Sequence, residues 1–290
     1  MKLSASELVL NKDKSIYHLN LFPEELAETI ITVGDPDRVP LVSQYFDTIE
    51  VKKGKREFHS HTGHLGKKRI TVISTGIGTD NIDIVLNELD ALVNIDFDSR
   101  TIKENKTKLD IIRIGTSGAI QSHIPLHSYL MSEYAIGLDS LLHFYDSQHV
   151  QHPAIQHAFL SHTNWLKDKS TPYVVQCDKA LSKKFSSTQM MSGFTATNVG
   201  FYGPQGRILR LPLQDSFMND KLASFNYQGM QITNLEMETA GIYGLAKLMG
   251  HRAISLNCIL ANRSTGAFST EPEKATQGLI AYALERIVQI

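Results

Sequence analysis

Along this chain, apolar β-rich runs repeatedly empty into a glycine-bearing turn and hand over to a helical pattern. ETIITVGDPDRVPLV (28–42), KRITVISTGIGTDNIDIVLNELDAL (68–92) and LDIIRIGTSGAI (109–120) all do so, and AISLNCILANRSTG (253–266) ends a fourth run similarly. That rhythm predicts an α/β domain. Two stretches interrupt it. Residues 93–108, VNIDFDSRTIKENKTK, are polar and lysine-rich between two core elements and read as an exposed insertion. Residues 138–165 are rich in Gln and His, yet their apolar positions pace out a helix after Pro153. No linker, internal repeat or low-complexity tract divides the chain, so one domain over 1–290 is expected.

Open α/β sheets bind ligands at the carboxyl ends of their strands. The glycine turns should therefore gather on one edge and bring Arg38, Arg113 and Arg263 to one crevice. Arg113 stands out because it sits inside a β-branched run: a guanidinium in a buried strand must find an anionic partner or be very costly.

Composition narrows the choices. Of 290 residues, 42% are hydrophobic and 20% charged, enough for a sizeable core. Lys and Arg number 29 against 30 acidic residues, so a net charge of -1 gives no electrostatic case for nucleic acid or an anionic membrane. The N-terminal MKLSASELVLNKDKS lacks the apolar core of a signal peptide, and no later run has the length of a membrane span, so a cytoplasmic location is expected. Cys177 and Cys258 lie far apart and form no CxxC motif; both read as packing residues.

Each motif has a bland alternative. TGIGTDN places Gly76 and Gly78 after a strand but has Asn81 where a dinucleotide fingerprint needs its third glycine, so a tight turn at positive φ is the better reading. GDPDR (34–38) sets Gly34 where the chain leaves a strand and Arg38 in the first turn of a helix; a surface ion pair would explain it equally well. Arg56 is ambiguous alone. His59, His61 and His64 could suggest zinc, but His59 and His61 alternate with Phe58, Ser60 and Thr62 as on one strand of a hairpin whose turn is LGKK, and no nearby Cys or HExxH completes a metal set. NLEMETAG (234–241) reads as the opening of a helix, with Glu236 and Glu238 in its first turn, either as favourable dipole charges or as carboxylates for a sugar diol. FYGPQGR (201–207) offers Phe201, Gln205 and Arg207, which suit a flat heterocycle with several carbonyls, or an ordinary loop.

Taken in order, YHLNL, GDPDR, REF, STGIG, RIGTSGAI, FYGPQGR, NLEMETAG and ANRS resemble the nucleoside phosphorylase family of purine and uridine type, nearest its uridine branch. The resemblance runs from about His18 to the C-terminus, the 93–108 insertion apart. It implies a three-layer single domain with a mixed central β-sheet flanked by helices, assembled as a homodimer or homohexamer. It implies Gly34, Arg38, Arg113 and Thr116 around inorganic phosphate, with Arg56 reaching in from a neighbouring subunit. His18, also from across the boundary, Met237 and Glu238 would meet the ribose; Phe201, Gln205, Arg207 and Arg263 would meet the base. Phosphate is then a co-substrate and no cofactor is needed, although the family pattern allows a monovalent cation at the dimer contact. Relatives of purine type carry an Asp shortly after the NRS segment; NRSTGAFS has none, which favours uridine. Asp80 and Asn81 depart from the usual Gly-Pro-Ser type continuation. The alternatives are a purine phosphorylase or nucleosidase of the same fold, and a non-catalytic nucleoside-binding protein.

Overall fold

Four strand-turn units form the middle of the molecule. Thr29–Val33, Lys68–Ser74, Asp110–Ala119 and Arg252–Asn262 are strands, lying parallel in the order Lys68–Ser74, Thr29–Val33, Asp110–Ala119, Arg252–Asn262. All of Thr29–Val33 and nearly all of Asp110–Ala119 are buried, as continuous apolar runs in a sheet covered on both faces should be. The structure is a computed structural model and describes residues 2–289.

The sheet grows by antiparallel additions on both sides. Phe58–Leu65 pairs with Lys68–Ser74 through a turn that places Gly66 at φ +59°, and Thr48–Lys55 forms the edge beyond it. The histidine-bearing strand is thus a hairpin arm, as its alternation predicts: His61 Nδ1 contacts Ser43 Oγ at 2.7 Å, and His64 pairs with Glu50 at 2.9 Å. On the other side, Tyr129–Gly137 runs antiparallel to Arg252–Asn262, followed by Met190–Thr197 and Met230–Glu236.

Met230–Glu236 then pairs back onto the end of Asp110–Ala119, through Asn234 opposite Ala119 and Leu235 opposite Gly118. Five strands thereby close a ring inside a mixed 12-stranded sheet. The ring's interior carries a polar chain. Arg113 Nη1 donates to Asn257 Oδ1 at 3.0 Å, Asn257 Nδ2 to Ser132 Oγ at 3.2 Å, and the Ser132 and Thr195 hydroxyls meet at 2.5 Å. Thr195 then donates to Asn234 Oδ1 and Asn234 Nδ2 to Ser117 Oγ, each at 2.9 Å. Every member has a partner, the condition under which a buried polar network stabilises a unique arrangement.

Helices flank the sheet. Thr79–Asn94 begins directly after the TGIG turn, and Thr239–Leu248, buried throughout Thr239–Ala246, packs against it. Pro153 opens the helix Pro153–Thr163, which ends at Asn164 in the left-handed region (φ +48°). The 93–108 segment is only partly a surface excursion. Its two short strands, Ile95–Asp96 and Thr101–Ile102, form a hairpin, Asn94 is buried, and Arg100 donates to the Leu3 and Ser4 carbonyls at 3.0 and 2.6 Å and also to that of Leu8. The insertion therefore clasps the N-terminal segment.

Candidate active site

A cavity of about 790 Å³ opens where the parallel strands end. One wall comes from the turn after Thr29–Val33, with Gly34 and Arg38; Arg113 and Thr116 of the neighbouring strand adjoin them. Glu236, Met237 and Glu238 contribute from the end of Met230–Glu236, and Phe201, Gln205 and Arg207 from the opposite loop. Predicted phosphate, ribose and base residues from four segments thus face one space.

The anion that Arg113 meets within this chain is a pair of carboxylates. Its Nη2 donates to Glu238 Oε2 at 2.6 Å and lies 3.2 Å from Glu236 Oε2. Burial pulls the guanidinium's pKa down, but Glu236 and Glu238 outweigh it and the net shift is upward. Arg113 lines the cavity as expected of a phosphate ligand, and within this chain it is already engaged by two carboxylates. The side chain folds over Gly115, where an added Cβ would fall 1.9 Å from Nη1. Glycine at 115 is the space the guanidinium occupies.

The two glutamates are not in the first turn of a helix, as NLEMETAG suggested. Glu236 ends a strand and Glu238 is the N-cap of Thr239–Leu248. Helical geometry starts only at Thr239, because the Glu236 carboxylate itself accepts from the Glu238 and Thr239 backbone N–H groups at 2.9 Å and from the Thr239 hydroxyl at 2.8 Å. Glu238 accepts from the Gly78 N–H at 2.9 Å. This explains the TGIG turn: Gly76 and Gly78 stand at φ +69° and +93° and aim a backbone donor at the carboxylate. Burial holds the Glu238 carboxyl above its ordinary range; Arg113 pulls it back and Glu236 pushes it further up.

Arg38, the first residue of the helix Arg38–Ser43, contrasts with Arg113. Its Nη1 reaches the Ile114 carbonyl at 3.4 Å, and among the described residues no carboxylate lies within ion-pair distance. Burial, then the neighbouring Arg113, lower its pKa. A largely buried guanidinium beside a second one, without its own carboxylate partner, has the chemistry to accept an anion.

In the 201–207 loop, Arg207 Nη1 donates to Gln205 Oε1 at 2.7 Å and to the Phe201 carbonyl at 2.6 Å, and Gln205 is buried. The Gln205 amide is thereby oriented with its NH₂ free. Burial, then Arg263, lower the Arg207 pKa to about 10. Phe201 stands apart from the other base residues: its ring lies 3.7 Å under the Arg207 guanidinium and is half-exposed, so it supports the arginine. Asn219 was not foreseen. It donates to the Gln205 carbonyl at 3.1 Å and packs against Gly206, which lies at φ +69°.

Three predicted residues lie outside the cavity lining. Arg263 donates to the Gly206 carbonyl at 3.3 Å and braces the loop. His18 is held by Glu88, and Arg56 is exposed at φ +56° in the turn between Thr48–Lys55 and Phe58–Leu65. Lys55 binds the Tyr17 carbonyl at 2.5 Å, so His18 and Arg56 share one surface region. Asn257 was also missed. It carries the signal that drew attention to Arg113, a polar side chain inside a buried apolar strand. Phe268 gave no such signal; it arrives on a two-residue strand paired to Arg252–Asn262.

The match to known proteins agrees with this arrangement. Residues 28–289 match the Phosphorylase superfamily, and the chain belongs to that family. Among individual relatives, a uridine phosphorylase of Thermococcus kodakarensis is 28% identical over 273 residues, covering 94% of this chain and 87% of that protein. A DeoD-type purine nucleoside phosphorylase of Alkaliphilus metalliredigens is 28% identical over 272 residues, covering 92% and 97%. A solved Trypanosoma brucei nucleoside phosphorylase, described as showing uridine phosphorylase activity, superposes with a TM-score of 0.88 at 29% identity, covering 98% of this chain and all of the other. No helix among the described residues is long and apolar enough to cross a membrane, and no group of three or more His, Cys, Asp or Glu among them is arranged to hold a metal ion.

Proposed function

We propose that this phosphorylase cleaves uridine with inorganic phosphate, giving uracil and ribose 1-phosphate, and that deoxyuridine or thymidine are related substrates in pyrimidine nucleoside salvage. The observation that carries the reading is the presence, around one cavity, of Arg38 without a carboxylate partner and of the Gln205–Arg207 pair, in which Gln205 is buried and Arg207 half-buried. Phosphate sits against Arg38, the Gly34 backbone and Thr116, and shares Arg113 with Glu238. Glu238 takes the ribose diol and Met237 lies on the sugar face.

A phosphate oxygen bonds to C1' as the C1'–N1 bond breaks, and the bonding electrons leave with uracil. The transition state is oxocarbenium-like and needs no enzyme nucleophile. Charge grows on the departing base, where Arg207 and the Gln205 amide meet it; phosphate balances the developing cation on the sugar. The Gln205 NH₂ donates to a uracil carbonyl, and its oxygen, with one lone pair on Arg207, accepts from N3–H. Cytidine lacks that N3 proton.

His18 and Arg56 complete the site from a neighbouring copy in a dimer or hexamer; their shared surface region, outside the chain's own cavity, supports this. The test is ultraviolet monitoring of uridine, thymidine, cytidine and inosine with and without phosphate. Phosphate-dependent loss of uridine but not cytidine is expected. Cleavage of inosine alone would move the chain to the purine reading, which its DeoD-type relatives favour. Turnover without phosphate would make it a nucleosidase, and binding without turnover a nucleoside-binding protein.

A further inference from the structure

The N-terminal segment is tied to helix Thr79–Asn94 by one side chain. Glu88 Oε2 accepts from the backbone N–H groups of His18 and Leu19 at 3.0 and 2.8 Å, the His18 N–H is shared with Oε1 at 3.1 Å, and Glu88 Oε1 lies 2.6 Å from His18 Nδ1. An ionised carboxylate can only accept, so Nδ1 must carry a proton; in the neutral ring Nε2 is then a bare acceptor. Elsewhere the segment is held independently, by Arg100 on the Leu3 and Ser4 carbonyls, by Asn11 on the Ile16 carbonyl at 2.9 Å and by Lys55 on that of Tyr17. Glu88 is therefore not the segment's only tie. Its distinct contribution is the proton position on His18.

We propose that Glu88 is a positioning residue that makes His18 a hydrogen-bond acceptor, so that the sugar's 5' position selects a group able to donate. This rests on the function proposed above, in which His18 enters a neighbouring copy's site and Glu238 takes the ribose diol. The 5'-hydroxyl is then the one sugar hydroxyl left for His18. A 5'-hydroxyl donates to Nε2. A 5'-fluorine or a fully ionised 5'-phosphate offers acceptors only and leaves Nε2 unpaired, so the dyad favours nucleosides over their 5'-nucleotides.

Glu88→Gln inverts this with almost no change of shape. The amide oxygen, at the Oε2 position, still accepts from both backbone N–H groups. The amide NH₂, at the Oε1 position, gives up only the shared 3.1 Å contact with the His18 N–H, donates to Nδ1 and moves the ring proton to Nε2. The test compares kcat/KM for uridine and 5'-deoxy-5'-fluorouridine under mildly alkaline conditions. The wild-type ratio should be roughly tenfold or more, the effect of leaving a buried acceptor unpaired. It should collapse in Glu88→Gln and in His18→Ala.

Nitrogen-15 spectra of the unsubstituted protein read the tautomer directly, whether or not the variant folds. They should show the His18 proton on Nδ1; a proton on Nε2 overturns the proposal. A chain active on uridine whose wild-type ratio survives Glu88→Gln fails this inference alone. A chain with no uridine phosphorolysis fails the underlying function and takes this inference with it.

Discussion

Replacing Gly115 with alanine isolates what the Arg113 cluster contributes. Gly115 does not lie in the left-handed region, so an alanine there meets no conformational objection and its cost is steric. The new Cβ would stand 1.9 Å from Arg113 Nη1, 2.4 Å from Cζ and 2.7 Å from Nη2. A guanidinium usually swings aside cheaply. This one is pinned by Glu238 at 2.6 Å, Glu236 at 3.2 Å and Asn257 at 3.0 Å. Displacing it breaks a buried charge pair, a loss of about 3 to 5 kcal/mol. At 2 to 4 °C per kcal/mol for a domain near this size, Tm should fall by roughly 6 to 20 °C. If about 3 kcal/mol of that is also lost from the transition state, kcat/KM falls on the order of 10²-fold. Calorimetry and the uridine assay read the two effects. The control is Arg113→Met: with no guanidinium to strike, adding Gly115→Ala should cost almost nothing further, giving strong non-additivity. A Gly115→Ala protein that melts and turns over like wild type would refute the reasoning, as would additive losses.

Three further outcomes follow. Arg113→Met alone leaves the Glu236 and Glu238 carboxylates buried without their cation. Because the Glu238 carboxyl is raised in the folded state and rises further without Arg113, the stability deficit should be full at neutral pH and shrink as pH falls through that raised value; urea unfolding at about pH 7 and pH 5 checks this. Burial pushes the Cys177 and Cys258 thiols up to about 11, so a thiol reagent near pH 8 should label neither in the native protein and both after unfolding. Asn219→Ala removes the brace on the Gln205 carbonyl and should raise the KM for uridine roughly two- to tenfold, the worth of one hydrogen bond, with little change in Tm.

Much of the site was legible because strand-turn units announce themselves locally. Gly34 with Arg38, and Arg113 with Thr116, fall on adjacent strand ends, where the repeated apolar-run-then-glycine pattern places them. The contacts that decide what those residues do are not local. Arg113 takes Glu238 as its partner across 125 residues, and no periodicity carries that. The misplaced start of the helix after NLEMETAG has a similar cause: Glu236 caps the next helix from the end of a strand, and a short apolar run before a helix looks alike in either conformation. His18 and Arg56 were expected from the family pattern alone; their own surroundings gave no sign of a ligand. The 93–108 segment is polar in sequence, but its clasp on the N-terminus, with Arg100 standing at φ +59°, is not announced there.

The ring of five strands also has a consequence for how the protein is made. Its polar chain joins Ser117 to Asn234, which are 117 residues apart, and Arg113 to Asn257, which are 144 apart. Closing loops of that length costs entropy before any contact repays it, and topologies dominated by such pairs fold slowly. During synthesis, the strand that carries Arg113 emerges long before the strands that bring Asn257 and the two glutamates. Until they arrive, its guanidinium must remain in water, and the nascent chain has an N-terminal half-sheet with an unpartnered edge. That interval is when the chain is most exposed to mispairing and a chaperone would have most to do.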